Sequence, residues 1–574
     1  MLAGLPVVRS SCARALFIGT VLVTVALLCW SRGFAATDGA ARLATVFVYL
    51  FTALDYPAAL CALLIVLVAA CVPQKYSFRP LLCWIGHHVW LVAGMVCVAL
   101  CIGTHVFYLD YPLTADEYAP YFQSQVFAAG HLAGQFPPWL VDWLIPAIYQ
   151  NQFFFVSHSS GRIACAYWPS FALLLTPFTF LGVPWACNPV ISALTLPAIH
   201  RLALRIFADR ATAGLAVLLT AASPVFFGDG ISYYSMSSHL LANCVFALLL
   251  LDPTPRRALL AGVVGSIALT LHNPVPHMLF AIPWILAIAR RQDAVKLVGC
   301  LFAGYLPLCL LLGLGWAVFI GNIAHDGAAV ATQSAQTGGI LDRLTSVFAL
   351  PDSAIWLARW VGIVKVWVWA VPGIVILALA GAWRWRHNPH CRLFVASALT
   401  TLVGYVLVPV DQGHGWGYRY FHSAWMVLPL LAAGALAPVR VEMQPSPQRA
   451  QSFLDRLPEE GGVRTYLVVC ALLSLTLGWG LRAVQIRDFI APQIRAIPAY
   501  TGTEHQVIIR NPAGGLDPTR NDPFLRGNVV YLLGHGPAAD AVMMREHFPG
   551  LRRVSTESEF SVWSTASATI SGEP

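Results

Sequence analysis

The 574-residue sequence predicts an all-α polytopic membrane protein with a small C-terminal α/β extracytoplasmic domain. Three observations carry this. Hydrophobic residues make up 58% of the chain and charged residues 11%, whereas a soluble chain carries roughly 25% charged residues. Apolar runs recur near the length of about 20 residues that a helix needs to cross a bilayer. After residue 485 the composition changes, and segments 505–510, 528–534 and 560–563 read as strands around a helix-like 538–547.

The elements follow in order. Arg9 and Arg14 precede the first apolar run and place the N-terminus in the cytoplasm. Phe34-Ala35-Ala36 loosely resembles a signal-peptidase site, but the runs that follow closely favour an uncleaved first span. About thirteen spans are expected, near 15–34, 44–72, 81–107, 186–206, 211–228, 233–251, 258–272, 274–289, 297–319, 363–383, 393–410, 423–438 and 464–484. Residues 1–80 hold two N-terminal transmembrane helices. Residues 81–484 form the main transmembrane module with an external loop at 108–185, and 485–574 form the soluble domain.

Basic residues set the sides. Lys75 and Arg79 fall inside, so the next span delivers 108–185 to the outside. Arg201, Arg205 and Arg210 fall inside again, which requires an odd number of crossings between. Of the two apolar stretches available, 168–183 is short and carries Pro169 and Pro177, so it is assigned to an interfacial or re-entrant helix. The loops around Asp229, 320–352 and 411–422, and the tail, then lie outside. The net charge of +8 reads as this topology signal, not as a nucleic-acid footprint. Most of the fourteen cysteines lie inside apolar runs, with no CxxC pair and no zinc spacing, and read as packing residues. No Gly-rich loop follows a strand, so a soluble nucleotide donor is not indicated.

Chemistry concentrates in two external loops. The first carries Asp116 and Glu117 just beyond a span, beside aromatic residues. A carboxylate there is placed to take a proton from an acceptor hydroxyl. The same residues also suit a helix start, with Thr114 as N-cap and both acids favoured by the dipole. The second loop brings Asp411, His414, Tyr418, Arg419, Tyr420 and His422 among three glycines. An external arginine between tyrosines suits a phosphate at the membrane surface; an aromatic-belt anchor is the plainer reading. Arg162, His239 and His272 share the external face as weaker candidates.

These residues, in this order, resemble the GT-C class of membrane glycosyltransferases, of the protein O-mannosyltransferase and lipid A aminoarabinose transferase type. The resemblance covers roughly 105–440. It rests on Asp116-Glu117-Tyr118, Phe127-Ala128-Ala129-Gly130, Tyr167-Trp168-Pro169-Ser170, the run from Arg210 through Leu215, Ala222-Ser223-Pro224 and Gly417-Tyr418-Arg419-Tyr420. It implies a GT-C-like fold, a polyprenyl-phosphate-linked sugar as donor, inversion at the sugar carbon, and a lipid, glycan or protein acceptor. By resemblance, Asp116 is the catalytic base, Glu117 the second acid, and Arg419 the stabiliser of the leaving phosphate. Tyr418, Tyr420 and Arg162 would join it at the phosphate, and Asp411, His414, His239 and His272 would bind substrate. The setting implied is a bacterial inner membrane with the site on the periplasmic side.

The chain departs from the pattern in three places. Two extra spans precede the key loop, His272-Asn273-Pro274 stands where Arg-Pro is common, and 108–185 has no lysine. Phosphate binding then rests on Arg162, Arg419, a histidine or a divalent metal ion. A transporter or flippase of a lipid-linked sugar is the competing function, with Asp55 inside a span as its best support. A scaffold whose tail binds a partner is a third.

Overall fold

The computed structural model describes residues 11–34, 45–73, 76–325, 350–408, 413–438, 457, 461–498, 504–510, 521–557 and 559–565. Among them, six helices are long and apolar enough to cross a bilayer: Ser11–Phe34, Thr45–Cys71, Val89–Val106, Pro184–Phe207, Ala294–Ala324 and Gly461–Arg495. A seventh appears if Arg210–Ala222 and Pro224–Ile231, bent by 59°, count as one span. The chain is an integral membrane protein by this measure. About thirteen spans were expected, and several of the others fall on helices that are broken or shorter. The run near 81–107 is two helices, Arg79–His87 and Val89–Val106. The run near 211–228 breaks before Pro224, whose ring cannot continue the preceding ladder. Met236–Leu250, Val275–Ala289 and Ile374–Arg384 are apolar but short.

Helix Ser170–Phe180 has 11 residues, about 16 Å at 1.5 Å per residue. That is well under the ~30 Å of hydrocarbon, and it occupies the stretch that charge parity had assigned to a non-spanning helix.

Small residues let the helices approach closely where hydrophobic burial gives little drive. A Cβ on Gly262 would lie 2.0 Å from the Leu301 carbonyl oxygen, and one on Gly304 would lie 2.1 Å from that of Leu259. Helices Pro255–Leu269 and Ala294–Leu308 therefore meet backbone to backbone. Gly262→Leu is expected to cost at least about 2 kcal/mol by overpacking. A lowered melting temperature in detergent would show this; an unchanged one would contradict the contact.

Two polar ends flank the apolar helices. At one, Arg79 pairs with Asp209 at 3.2 Å, Arg205 with Asp252 at 3.3 Å, and Arg210 with the His87 ring at 2.6 Å. At the other, the loop between Val106 and Pro184 meets the C-terminal segment. That segment forms a four-stranded sheet in the order Val529–Leu533, Gln506–Arg510, Phe560–Ser564, Arg552–Glu557, with helix Pro537–His547 beside it. Val507, Ile509, Leu532, Met543 and Met544 share one apolar cluster with Tyr118, Phe122, Leu140 and Leu144 of the loop. Trp139 stacks on His547 at 3.7 Å, and the Gln135 amide donates to the Pro523 carbonyl at 3.0 Å. The tail thus braces the loop that carries Asp116.

Candidate active site

Helix Ala115–Ala128 begins where the loop after Val106 turns back, with Thr114 at its N-cap and Asp116 and Glu117 in its first turn. Adjacent helical residues point about 100° apart, and this separates the two acids. Glu117 turns inward and is fully buried. It accepts the Tyr108 hydroxyl at 2.6 Å and the backbone amides of Leu113, Thr114 and Tyr233 at 3.0, 3.1 and 2.9 Å. The Thr114 bond is one half of a capping box. Glu117 therefore ties the loop to the turn at Tyr233.

Burial pushes the Glu117 carboxyl up to about 7 against those donors. The folded protein then holds this proton to a higher pH than the unfolded chain does. The contribution to stability is greatest below the ordinary carboxylate value of 4.5 and is lost as pH rises through about 7. Its full size is on the order of 3 kcal/mol. The melting temperature is expected to fall between pH 5.5 and 8, and Glu117→Gln should flatten much of that fall. An equally steep profile in the variant would refute the assignment.

Asp116 faces the other way, into a cavity of about 260 Å³. Its Oδ2 accepts Arg419 Nη1 at 2.8 Å, and its Oδ1 accepts the Tyr167 hydroxyl. Burial acts to raise its pKa, but Arg419, with His272 and the Tyr167 hydrogen bond, outweighs it and holds the carboxyl below the usual range. Asp116 is therefore ionised at neutral pH.

Arg419 reaches Asp116 because its loop is a tight hairpin. His414 pairs with Tyr418 and Gly415 with Gly417, and Gly417 sits at φ +91°, a left-handed conformation that favours glycine. The Arg419 guanidinium lies 4.7 Å from the centre of the Tyr234 ring. Trp416, between the two glycines, donates from its indole to the Tyr108 hydroxyl at 3.1 Å. The pair Asp116–Arg419 thus bridges residues 303 apart in sequence. Tyr234, Trp416, Thr114 and Tyr149 line the same cavity.

The other expected residues divide. Tyr418 packs against Gly362, and Tyr420 stacks on Tyr405 at 4.2 Å under the Arg359 guanidinium. Both anchor the hairpin and neither lines the cavity. Arg162 starts the strand Arg162–Cys165, lies over Phe319 and does not line the cavity. The His272 ring lies tilted against that of Tyr167, with ring centres 3.8 Å apart, close enough to influence Asp116. His239 is fully buried, and neither ring nitrogen has a hydrogen-bond partner among the described residues. Nearby, His422 Nδ1 lies 2.8 Å from Asp229 Oδ2. Asp411 and the side chain of His414 lie outside the described residues. Among those described, no three His, Cys, Asp or Glu side chains are arranged to hold a metal ion.

Sequence reasoning left out Tyr108, Tyr167 as a partner of Asp116, and the wall residues Val46, Phe47, Leu50 and Phe489. Tyr167 was visible only as part of the Tyr-Trp-Pro motif.

The fold as a whole is similar to that of a solved membrane protein. The crystal structure of ArnT from Cupriavidus metallidurans bound to undecaprenyl phosphate matches with a TM-score of 0.52 at 12% identity, covering 84% of this chain and 99% of that one. The apo ArnT crystal structure matches with a TM-score of 0.47 at 13% identity over the same shares. Likeness at this identity concerns the fold. No family model matches the sequence, and no curated protein matches it.

Proposed function

We propose that the protein is a membrane glycosyltransferase that moves a sugar from a polyprenyl-phosphate donor to an acceptor hydroxyl at the extracytoplasmic face. The observation that carries this is the convergence of Asp116 and Arg419 on one cavity. Asp116 is the general base. As it takes the hydroxyl proton, the acceptor oxygen bonds to the anomeric carbon and the bond from that carbon to the phosphate oxygen breaks. The polyprenyl phosphate leaves with the electron pair, and attack from the opposite face inverts the sugar carbon.

Arg419 stabilises the charge gathering on that phosphate, an electrostatic role that is effective in a site shielded from water. In the free protein its partner is Asp116. Donor phosphate would share the guanidinium fork and place base and leaving group together. Glu117 is a positioning residue in this scheme, because its donors fix the helix start that aims Asp116. The site lies on the periplasmic side of an inner membrane, with the N-terminus cytoplasmic and the tail extracytoplasmic.

The test is chemical. Membranes containing the protein, given polyprenyl-phosphate sugars, should release polyprenyl phosphate in step with glycosylated acceptor. A transporter would move the lipid-linked sugar with its phosphodiester intact, and that outcome would refute the proposal.

A further inference from the structure

The cavity holding Asp116 and Arg419 has a second, wholly apolar face. Val46, Phe47 and Leu50 reach it from Thr45–Cys71, and Phe489 from helix Trp479–Arg495. The Phe489 ring meets Trp416 edge-on at 6.0 Å and stacks on Tyr49 at 5.9 Å. Val46 and Tyr49 are 44% and 46% exposed, so this face opens at the outside of the helical bundle. Both residues belong to the apolar helix Thr45–Cys71, which is long enough to cross a bilayer, so a lipid chain could reach the cavity from this side.

A buried ion cluster holds the face in place. From Leu50 to Asp55 the helix widens to π geometry, a form found often at functional sites. The Leu54 carbonyl accepts Arg482 Nη1 at 3.3 Å and Gln485 Nε2 at 2.9 Å. Asp55 accepts Lys365 Nζ at 2.5 Å, Arg482 Nη2 at 2.9 Å and the Trp369 indole at 2.7 Å. The three charged side chains are each at most 2% exposed. Charges in apolar spans are costly, and where they occur they serve function.

Each arm of the cluster ends at the cavity. Leu50 begins the π segment, and Phe489 lies seven residues beyond Arg482 on one helix face. Trp369 stands 6.5 Å from Trp416.

We propose that Val46, Phe47, Leu50 and Phe489 seat the hydrocarbon next to the phosphate of a prenyl-phosphate substrate, and that Asp55, Lys365 and Arg482 are positioning residues for this seat. The proposal rests on the reading of Arg419 as the phosphate-binding group. An amphipathic cavity with a guanidinium at one end and an apolar wall at the other matches a lipid phosphate. The cavity's 260 Å³ is far less than a long prenyl chain needs, so the remainder leaves past Val46 and Tyr49.

Binding of undecaprenyl phosphate to the purified full-length protein tests this, with inorganic phosphate as competitor. Phe47→Ser and Leu50→Ser are expected to weaken the lipid about tenfold, the loss of roughly 1.4 kcal/mol of apolar contact. The inhibition constant of inorganic phosphate should not change. Asp55→Asn should show the same selective loss, which general destabilisation would not produce. Arg419→Gln should weaken both ligands. If the wild type fails to bind the lipid, or Arg419→Gln binds it undiminished, the underlying phosphate reading falls. If Arg419→Gln behaves as expected but Phe47→Ser and Leu50→Ser bind normally, the seat is overturned. Normal lipid binding by Asp55→Asn overturns the positioning role. Phe47 is only half-buried, so its variant decides the seat whatever Asp55→Asn does to folding.

Discussion

Asp116→Asn is expected to lower sugar transfer about 10³-fold, within the usual range for loss of a general base, and to lower stability because Arg419 loses its carboxylate, while the folded protein still binds prenyl phosphate. Asparagine retains an oxygen that can accept from Tyr167 or Arg419, but it cannot take up the acceptor's proton. Because Arg419, His272 and Tyr167 together hold the Asp116 carboxyl below the usual range, the base is already ionised at neutral pH. Deprotonation of Asp116 should therefore give the wild-type rate no acid limb between pH 5 and 8. Initial rates in proteoliposomes measure both effects. A variant that transfers at near the wild-type rate would remove Asp116 from the chemistry.

The second large effect belongs to Arg419. Its side chain is 9% exposed and that of Asp116 is 14% exposed, so Arg419→Gln leaves a largely buried carboxylate without its cation. Breaking a buried pair in this way costs about 3–5 kcal/mol, and loss of the phosphate stabiliser should slow transfer a further 10²- to 10³-fold. Arg419→Lys keeps the charge but not the planar fork, and should fall between. The double variant Asp116→Asn/Arg419→Gln separates the two losses. It should regain much of the stability, since no unpaired charge remains, and regain none of the activity. Full stability in the single variant would mean that the ion pair is not formed in the protein.

The sequence made the two loops legible because each concentrates polar residues against an apolar background. Charge parity also pointed to a non-spanning helix at 168–183, where Ser170–Phe180 is too short to cross. The division of labour between Asp116 and Glu117 was harder to read. Neighbouring helical residues face different surroundings, and the signal was the Thr114-to-Glu117 capping spacing, which favoured a helix start without saying which acid faced the cavity. Tyr418 and Tyr420 flank Arg419 in sequence but turn into packing against Gly362 and Tyr405, because they stand on either side of the residue that the hairpin aims at the cavity.

The partners of Asp55 were hidden for a different reason. Lys365 and Arg482 lie 310 and 427 residues away, near the ends of expected spans, where basic residues ordinarily read as topology signals. The strands of the tail were visible as alternation. Their burial against Tyr118 and Phe122 was not, since alternation marks a buried face without naming what covers it.

The central claim is that Asp116 and Arg419 form one site around the phosphate of a prenyl-phosphate donor. A structure of the protein with undecaprenyl phosphate bound tests it most directly. The account predicts a phosphate oxygen at hydrogen-bonding distance, about 2.7–2.9 Å, from the Arg419 guanidinium, with the Asp116 carboxylate in the same cavity. A phosphate bound elsewhere, with the Asp116–Arg419 pair undisturbed, would contradict it.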